Sequence, residues 1–131
     1  MQADSQTSHV SKTMFWTGYV LSALPVLMLL FSGAMKVVNA ASVVEGFARF
    51  GYPDNVAFGI GVVELISTVL YVIPQTSVLG AILLTGYLGG ATATHVRVGE
   101  AFIFPILLGV LVWAGLFLRD TRLHALLPLR G

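Results

Sequence analysis

The chain has 131 residues, of which 56% are hydrophobic and only 10% are charged. A soluble domain carries about 25% charged residues, so this chain lacks the charge to cover a folded surface in water, and we exclude an ordinary soluble domain. The formal net charge of +1 gives no indication of a nucleic-acid partner, and the absence of cysteine excludes disulfides, thiolate nucleophiles and Cys-bound zinc or iron–sulfur centres.

Four apolar stretches predict transmembrane helices. A bilayer core about 30 Å thick is crossed by about 20 apolar residues in a helix, and a helix satisfies its own backbone polar groups, which an open strand in lipid does not. The predicted spans cover residues 14–35, 56–73, 77–96 and 101–118. We therefore predict an all-α protein, a four-transmembrane-helix bundle in a lipid bilayer.

These spans divide the chain into a polar N-terminal segment (1–13), a four-helix membrane domain (14–118) and a basic C-terminal tail (119–131). An alternative for the first span is a secretory signal peptide, because Asn39-Ala40-Ala41 resembles a small-residue cleavage site. Its apolar run of about 21 residues is longer than the usual 7–15 of a signal peptide, which favours a span.

The connections between the spans predict their arrangement. Residues 36–55 are too many for a structureless loop in a compact domain, and apolar residues recur there at helical spacing around Glu45 and Arg49, which lie at i and i+4. We predict a short amphipathic helix at the membrane interface between the first two spans. Pro74-Gln75-Thr76 predicts a tight turn, so the second and third spans form an antiparallel hairpin.

Four spans place both termini on one side of the membrane. Of the seven lysines and arginines, four lie on that terminal side and three on the opposite side. Because positive residues remain in the cytoplasm, this bias predicts that both termini are cytoplasmic. We expect the membrane to be a bacterial inner membrane.

Glu64 lies near the middle of the second span. An ionised acid at that depth costs at least about 2–3 kcal/mol, so it must face the bundle interior, be paired or be protonated. One interpretation is a ligand contact or proton acceptor, which makes Glu64 the candidate catalytic residue. The alternative is a structural residue that bonds to a neighbouring helix.

The predicted topology brings other polar residues toward Glu64. The first span ends at Lys36, and the third ends at His95 and Arg97, on the same side opposite the termini. We therefore predict one polar cavity open on that side, with Glu64 at its floor. The alternative for Lys36 and Arg97 is that each side chain extends separately to the lipid headgroups.

Polar residues on the second and third spans recur at spacings that line one helix face. The two sets are Gly61, Glu64, Ser67, Thr68 and Tyr71, and Thr85, Thr92 and His95. We expect both faces to look into the bundle, which adds Tyr71 and Thr92 to the candidate ligand contacts; the alternative is hydrogen bonding between helices. No second histidine or carboxylate lies at ligand spacing from His95, so we predict no metal site.

Small residues recur every four positions on the third span, at Gly86, Gly90 and Thr94 and at Gly89 and Ala93. Such faces let helices approach closely in membranes. We expect most of this surface to pack inside the bundle, and a homodimer through this Gly-rich helix is its second use.

Several short motifs, taken in their order along the chain, resemble the DoxX-like family of small membrane proteins. They are Ser32-Gly33-Ala34-Met35-Lys36, residues 47–53, Gly61-Val62-Val63-Glu64-Leu65, residues 86–94, and His95-Val96-Arg97-Val98-Gly99-Glu100 followed by Pro105. The resemblance implies a four-helix membrane protein with Lys36, Glu64, His95 and Arg97 as its characteristic polar positions. The family takes its name from a subunit of a thiosulfate:quinone oxidoreductase, but in this chain any sulfur chemistry would need another subunit or the substrate's own sulfur, because cysteine is absent.

Three functions fit these residues. The first is a quinone-binding or small-molecule-binding subunit that works with redox partner proteins, with Lys36, His95 or Arg97 bonding a quinone oxygen. The second is a small-molecule transporter or a stand-alone membrane enzyme, such as an isomerase, that uses the same cavity. The third is a membrane scaffold without a ligand.

Overall fold

A computed structural model describes residues 12–53, 55–120 and 123 of the chain. The helices in this part are α1 (Lys12–Val37), α2 (Ala41–Phe50), α3 (Val56–Val72), α4 (Ser77–Arg97) and α5 (Ile103–Arg119), with a 3-10 turn at Pro74–Thr76. No strand occurs in these residues, which confirms the all-α prediction. The short helix predicted between the first two spans is α2, and the predicted tight turn is the 3-10 turn between α3 and α4.

Two helical segments, Lys12–Val37 and Pro74–Arg97, are long and apolar enough to cross a membrane. The other two long helices, α3 and α5, are apolar but have 17 residues each, a rise of about 25 Å, at the lower end of what a bilayer core requires. Large apolar side chains are exposed on all four of these helices. An apolar outer surface of this extent needs an apolar surrounding.

The four long helices form a closed ring, because α1 packs against α3 and α5, and α4 packs against the same two helices. The ring encloses a core drawn from every long helix. Its buried residues are Leu29, Tyr71, Ala81, Leu84, Leu88, Leu108, Val112, Leu116 and Leu123. The bundle has a terminal end, where α1 begins and α5 ends, and a site end, where α1 and α4 end.

Glycines set two close helix crossings, one near each end. At the site end, a Cβ on Gly61 would lie 2.9 Å from the carbonyl oxygen of Gly33, so only glycine lets α1 and α3 approach this closely. At the terminal end, a Cβ on Gly18 would lie 2.9 Å from the carbonyl oxygen of Gly115, which draws α1 and α5 together. The first crossing brings Lys36, one turn after Gly33, within reach of α3.

The glycines in the middle of α4 do not pack inside the bundle as predicted. A Cβ on Gly86, Gly89 or Gly90 would meet no atom within 4 Å, so these glycines border open space in the described part of the chain. The expectation that they pack inside the bundle is therefore wrong. The glycine of α4 that makes a close contact is Gly80, against the backbone of Tyr71.

The interior face of α3 is the one predicted, since Gly61, Glu64, Ser67, Thr68 and Tyr71 are all buried. The interior face of α4 is different, because its buried residues are mainly apolar, such as Ala81, Leu84 and Leu88. Thr85 and Thr92 instead donate to backbone carbonyls of their own helix, at 2.8 Å each. A threonine satisfied in this way has no need to turn inward.

Candidate functional site

Glu64 is fully buried at the ninth of the 17 positions of α3. Its Oε1 atom accepts a hydrogen bond from Lys36 Nζ at 2.9 Å, and the two groups form an ion pair. The Lys36 side chain is only 13% exposed. A carboxylate in a low-dielectric interior needs such a cation, because an unpaired buried charge is strongly unfavourable.

Two hydroxyl groups complete the surroundings of Oε1. Tyr87, on α4, donates to Oε1 at 2.7 Å, and Ser32, on α1, lies 3.5 Å from it. Lys36 Nζ also donates to Ser32 Oγ at 2.5 Å and lies 5.8 Å from the centre of the Tyr87 ring. The acid of α3 is thus connected to both neighbouring helices, α1 and α4.

The second carboxylate oxygen of Glu64 is different. Oε2 is buried and has no hydrogen-bond partner among the residues that the structure describes. Buried polar atoms are nearly always paired, and a carboxylate oxygen accepts more than one hydrogen bond. The Glu64 cluster, which we define as Ser32, Lys36, Glu64 and Tyr87, therefore retains an unused acceptor.

Two cavities meet at this cluster. The first has a volume of about 360 Å³, and the aromatic rings of Phe47, Phe50 and Tyr52 form part of its wall. The second has a volume of about 340 Å³ and is lined by Glu64 together with residues of α1, α4 and α5. The residues common to both linings are Lys36, Tyr87, Ala91 and His95. Cavities of this size, apolar with a few polar groups, are typical of small-molecule sites.

His95 lines both cavities, and a contact to its own helix defines which ring nitrogen carries the proton. Its Nδ1 lies 2.7 Å from the carbonyl oxygen of Ala91. A carbonyl only accepts hydrogen bonds, so Nδ1 carries the proton, and in the neutral ring Nε2 is an acceptor. The Phe50 ring packs edge-on against the imidazole at 5.1 Å between ring centres and fixes its plane.

The helix α2 covers the first cavity and is held in place by polar contacts. Gly51 ends α2 in the left-handed region, at φ 83°, a conformation that favours glycine. The chain then turns so that the Tyr52 hydroxyl lies 2.8 Å from Thr94 Oγ1 on α4. Arg97 donates to the carbonyl oxygen of Phe50, which connects the end of α2 to the end of α4.

The structure brings together some of the six predicted site residues and separates others. Lys36 and Glu64 are in contact, and His95 borders the same cavities. Arg97 is exposed and contacts the backbone of Phe50 rather than the Glu64 cluster. Thr92 lines a separate groove of about 610 Å³ between α4 and α5.

Tyr71 belongs to the terminal end, two helical turns from Glu64, or about 10 Å. Its hydroxyl donates to the carbonyl oxygen of Val112 at 2.6 Å and lies 3.0 Å from Ser22 Oγ. These hydrogen bonds and the complete burial of Tyr71 indicate a structural role rather than contact with a ligand.

Comparison with known sequences establishes the family of this chain. The sequence model of the DoxX-like family matches residues 20–115. The chain belongs to the DoxX-like family. Neither a curated protein nor a solved structure matches it. The family match covers α3 and α4 completely, together with both ends of the Lys36–Glu64 pair, and it identifies the chain as a membrane protein.

Sequence reasoning missed two features of this DoxX-like chain. Tyr87, which donates to Glu64, lies in an apolar stretch of the sequence without a polar pattern that would predict this hydrogen bond. Arg119 was assigned only to a basic tail, whereas it ends α5 and bonds to Ser22 Oγ and to the carbonyl oxygen of Tyr71, at 3.1 Å each. The sequence carries no signal for this placement, because the Gly18–Gly115 crossing that brings Arg119 beside α1 is decided by packing.

Proposed function

We propose that this DoxX-like chain is a quinone-binding membrane subunit of a redox system, with its ligand held at the Glu64 cluster. The observation that carries the proposal is a buried carboxylate with one oxygen unpaired among the described residues, at the junction of two apolar cavities of about 360 and 340 Å³. A buried acid that serves structure alone is expected to have its oxygens satisfied.

The walls of the first cavity suit an aromatic ring. Phe47, Phe50 and Tyr52 form a cluster with ring centres 5.3 to 6.4 Å apart, and they line the cavity beside Lys36 and His95. Offset or edge-on aromatic contacts at such distances are favourable for a flat ring. Lys36 supplies a donor for a ring oxygen, the neutral His95 ring supplies an acceptor for a ring hydroxyl, and Glu64 is positioned as a proton acceptor.

The proposal also covers the membrane, the orientation of the chain and its partners. We propose that all four long helices cross a bacterial inner membrane with both termini in the cytoplasm, and that redox partner proteins exchange electrons with the bound ligand. A homodimer through α4 is also part of the proposal, since Gly89 and Thr92 border the open groove between α4 and α5. The transporter alternative is less well supported, because the polar contacts at the terminal end close the bundle there in this conformation.

The proposal is tested by binding of a short-chain benzoquinone to the purified protein in nanodiscs, measured by quenching of the intrinsic fluorescence of the protein. The same titration on empty nanodiscs gives the background. Saturable binding above that background is expected. Gly90→Leu places a side chain into the first cavity, which Gly90 lines, and we expect at least a tenfold loss of affinity, about 1.4 kcal/mol.

Gly59→Leu is the matched control for this experiment. Gly59 is exposed on α3, lines neither cavity, and a Cβ there would meet no atom within 4 Å. We expect unchanged binding in this variant. Absence of saturable binding in the unmodified protein would refute the proposal, and equal losses in both variants would place the ligand elsewhere.

A further inference from the structure

The hydrogen-bonding groups around the two cavities have an unequal balance of donors and acceptors. Glu64 Oε2 has no donor among the described residues, and His95 Nε2 in the neutral ring is an acceptor because Nδ1 is used on Ala91. Glu64 Oε2 and His95 Nε2 are therefore both acceptors, and a ligand satisfies them only if it donates hydrogen bonds.

The donors at the site are largely used within the protein. The Tyr87 hydroxyl has one proton, which it gives to Glu64. Lys36 Nζ has three protons, of which two are directed to Glu64 and Ser32. One ammonium proton is all that these residues retain for a ligand acceptor.

From this balance we infer that the site binds the hydroxyl-bearing, reduced form of its ring ligand, a quinol, more tightly than the quinone. A quinone offers only acceptors, and a carbonyl oxygen placed beside Glu64 Oε2 would set two acceptors against each other. A quinol donates from its hydroxyls to the carboxylate and to the imidazole. This inference rests on the proposed function, whose ligand it specifies.

The carboxylate can reach the ligand at small cost. Glu64 lines the second cavity, and the last torsion of a glutamate side chain is soft and roughly two-fold. A small rotation about this torsion turns Oε2 toward a ligand while Lys36 and Tyr87 keep contact with the carboxylate. The backbone of α3, fixed by the Gly33–Gly61 crossing, need not move.

The expected size of the preference follows from one additional hydrogen bond to a charged group. We expect the dissociation constant of the quinol to be at least about tenfold lower than that of the quinone. By linkage, a tenfold preference raises the midpoint potential of the bound two-electron couple by about 30 mV relative to the free couple.

The test compares a short-chain benzoquinone with its chemically reduced quinol, without oxygen, on the protein in nanodiscs. Affinities of the two forms and the midpoint potential of the bound couple are measured for the unmodified chain. Glu64→Gln replaces an oxygen acceptor with an amide that can donate, so the ratio of the two affinities should fall toward one. Glu45→Gln makes the same change on the exposed face of α2, and its ratio should remain that of the unmodified chain.

A second variant keeps the test decisive if Glu64→Gln fails to fold. His95→Phe removes the acceptor but retains an aromatic ring against Phe50, and it should weaken quinol binding while leaving quinone binding nearly unchanged. Three outcomes with saturable binding would overturn the inference and leave the proposed function standing. They are equal affinities of the two forms, tighter binding of the quinone, and an affinity ratio that stays unchanged in both site variants. Absence of saturable binding of either form would overturn both.

Discussion

The two ends of the bundle are built from similar parts but reach different results. Each end has a close crossing at a pair of glycines, a basic residue on α1 or α5, and a tyrosine that bonds across helices. At the terminal end, Arg119 bonds to Ser22 and to Tyr71, whose ring lies 4.7 Å below the guanidinium, and Tyr71 is fully buried. At the site end, one carboxylate oxygen of Glu64 has no partner in the described part of the chain and lies beside two cavities.

This difference teaches how to separate a structural polar cluster from a binding cluster in one small protein. The terminal cluster, which we define as Ser22, Tyr71 and Arg119, has no buried polar side-chain atom without a partner among the described residues, so its interactions contribute to the stability of the fold. The Glu64 cluster is incomplete, and the glycines of α4 that border it leave open space instead of making contacts. Changes at the terminal end should affect stability alone, whereas changes in the Glu64 cluster should affect binding as well as stability.

The largest expected effect comes from breaking the ion pair at the site end. Lys36→Met leaves the fully buried Glu64 without its cation, and we expect a loss of about 3–5 kcal/mol in the free energy of unfolding. Denaturation of the purified protein in detergent micelles measures this loss. The double variant Lys36→Met with Glu64→Gln removes both charges and should recover most of the stability without recovering quinone binding. A single variant as stable as the unmodified chain would contradict the assignment of a dry, buried pair.

The next largest effect is expected when alanine replaces a closely packed glycine at the terminal end. Gly115→Ala places a Cβ 2.9 Å from the backbone nitrogen of Ser22 and 3.0 Å from the carbonyl oxygen of Gly18, neither of which can rotate away. We expect a loss of about 1–3 kcal/mol in stability from overpacking. Gly90→Ala, the matched change in open space on α4, should leave stability unchanged or raise it by up to about 1 kcal/mol, because alanine favours helix. Equal effects of the two substitutions would remove this distinction between the ends.

A smaller effect is expected from the same chemical change at each end. Tyr71→Phe removes the bond to the Val112 carbonyl and should lower the free energy of unfolding by about 1–2 kcal/mol while quinone affinity is retained. Tyr87→Phe removes a donor to Glu64 and should lower quinone affinity as well. Unfolding and fluorescence quenching on both variants measure the two quantities, and a loss of affinity in Tyr71→Phe would show that the ends are coupled.

The smallest effect is expected at the surface contact of α2. The Arg49–Glu100 ion pair has a distance of 3.1 Å, but its side chains are 61% and 36% exposed. Arg49→Gln should therefore change stability by less than about 1 kcal/mol, and the difference should disappear at high salt. Thr94→Val, which removes the partner of the Tyr52 hydroxyl, is the comparison, and it should loosen α2 more than Arg49→Gln does. Limited proteolysis in residues 38–54 measures that loosening.

Much of the fold could be predicted from the sequence because apolar length and turn residues act locally. The helix α1 was expected over residues 14–35 and is found at Lys12–Val37, and the start of α3 at Val56 and of α4 at Ser77 were placed correctly. The site could be predicted in part. Topology alone predicts Lys36 and Glu64 in one cavity, since the first span ends on the side of the membrane where the second span begins.

The sequence by itself determined the apolar helices, their order and the buried acid, because hydrophobicity and helical period are properties of neighbouring residues. The tertiary structure decided which faces meet. It turned Thr92 toward a groove and Arg97 toward a backbone carbonyl, placed Tyr71 with Arg119, and supplied Tyr87 to Glu64. The physical reason is that glycine pairs on different helices fix how closely and at what rotation those helices pack, and no local pattern in the chain specifies which glycines will pair.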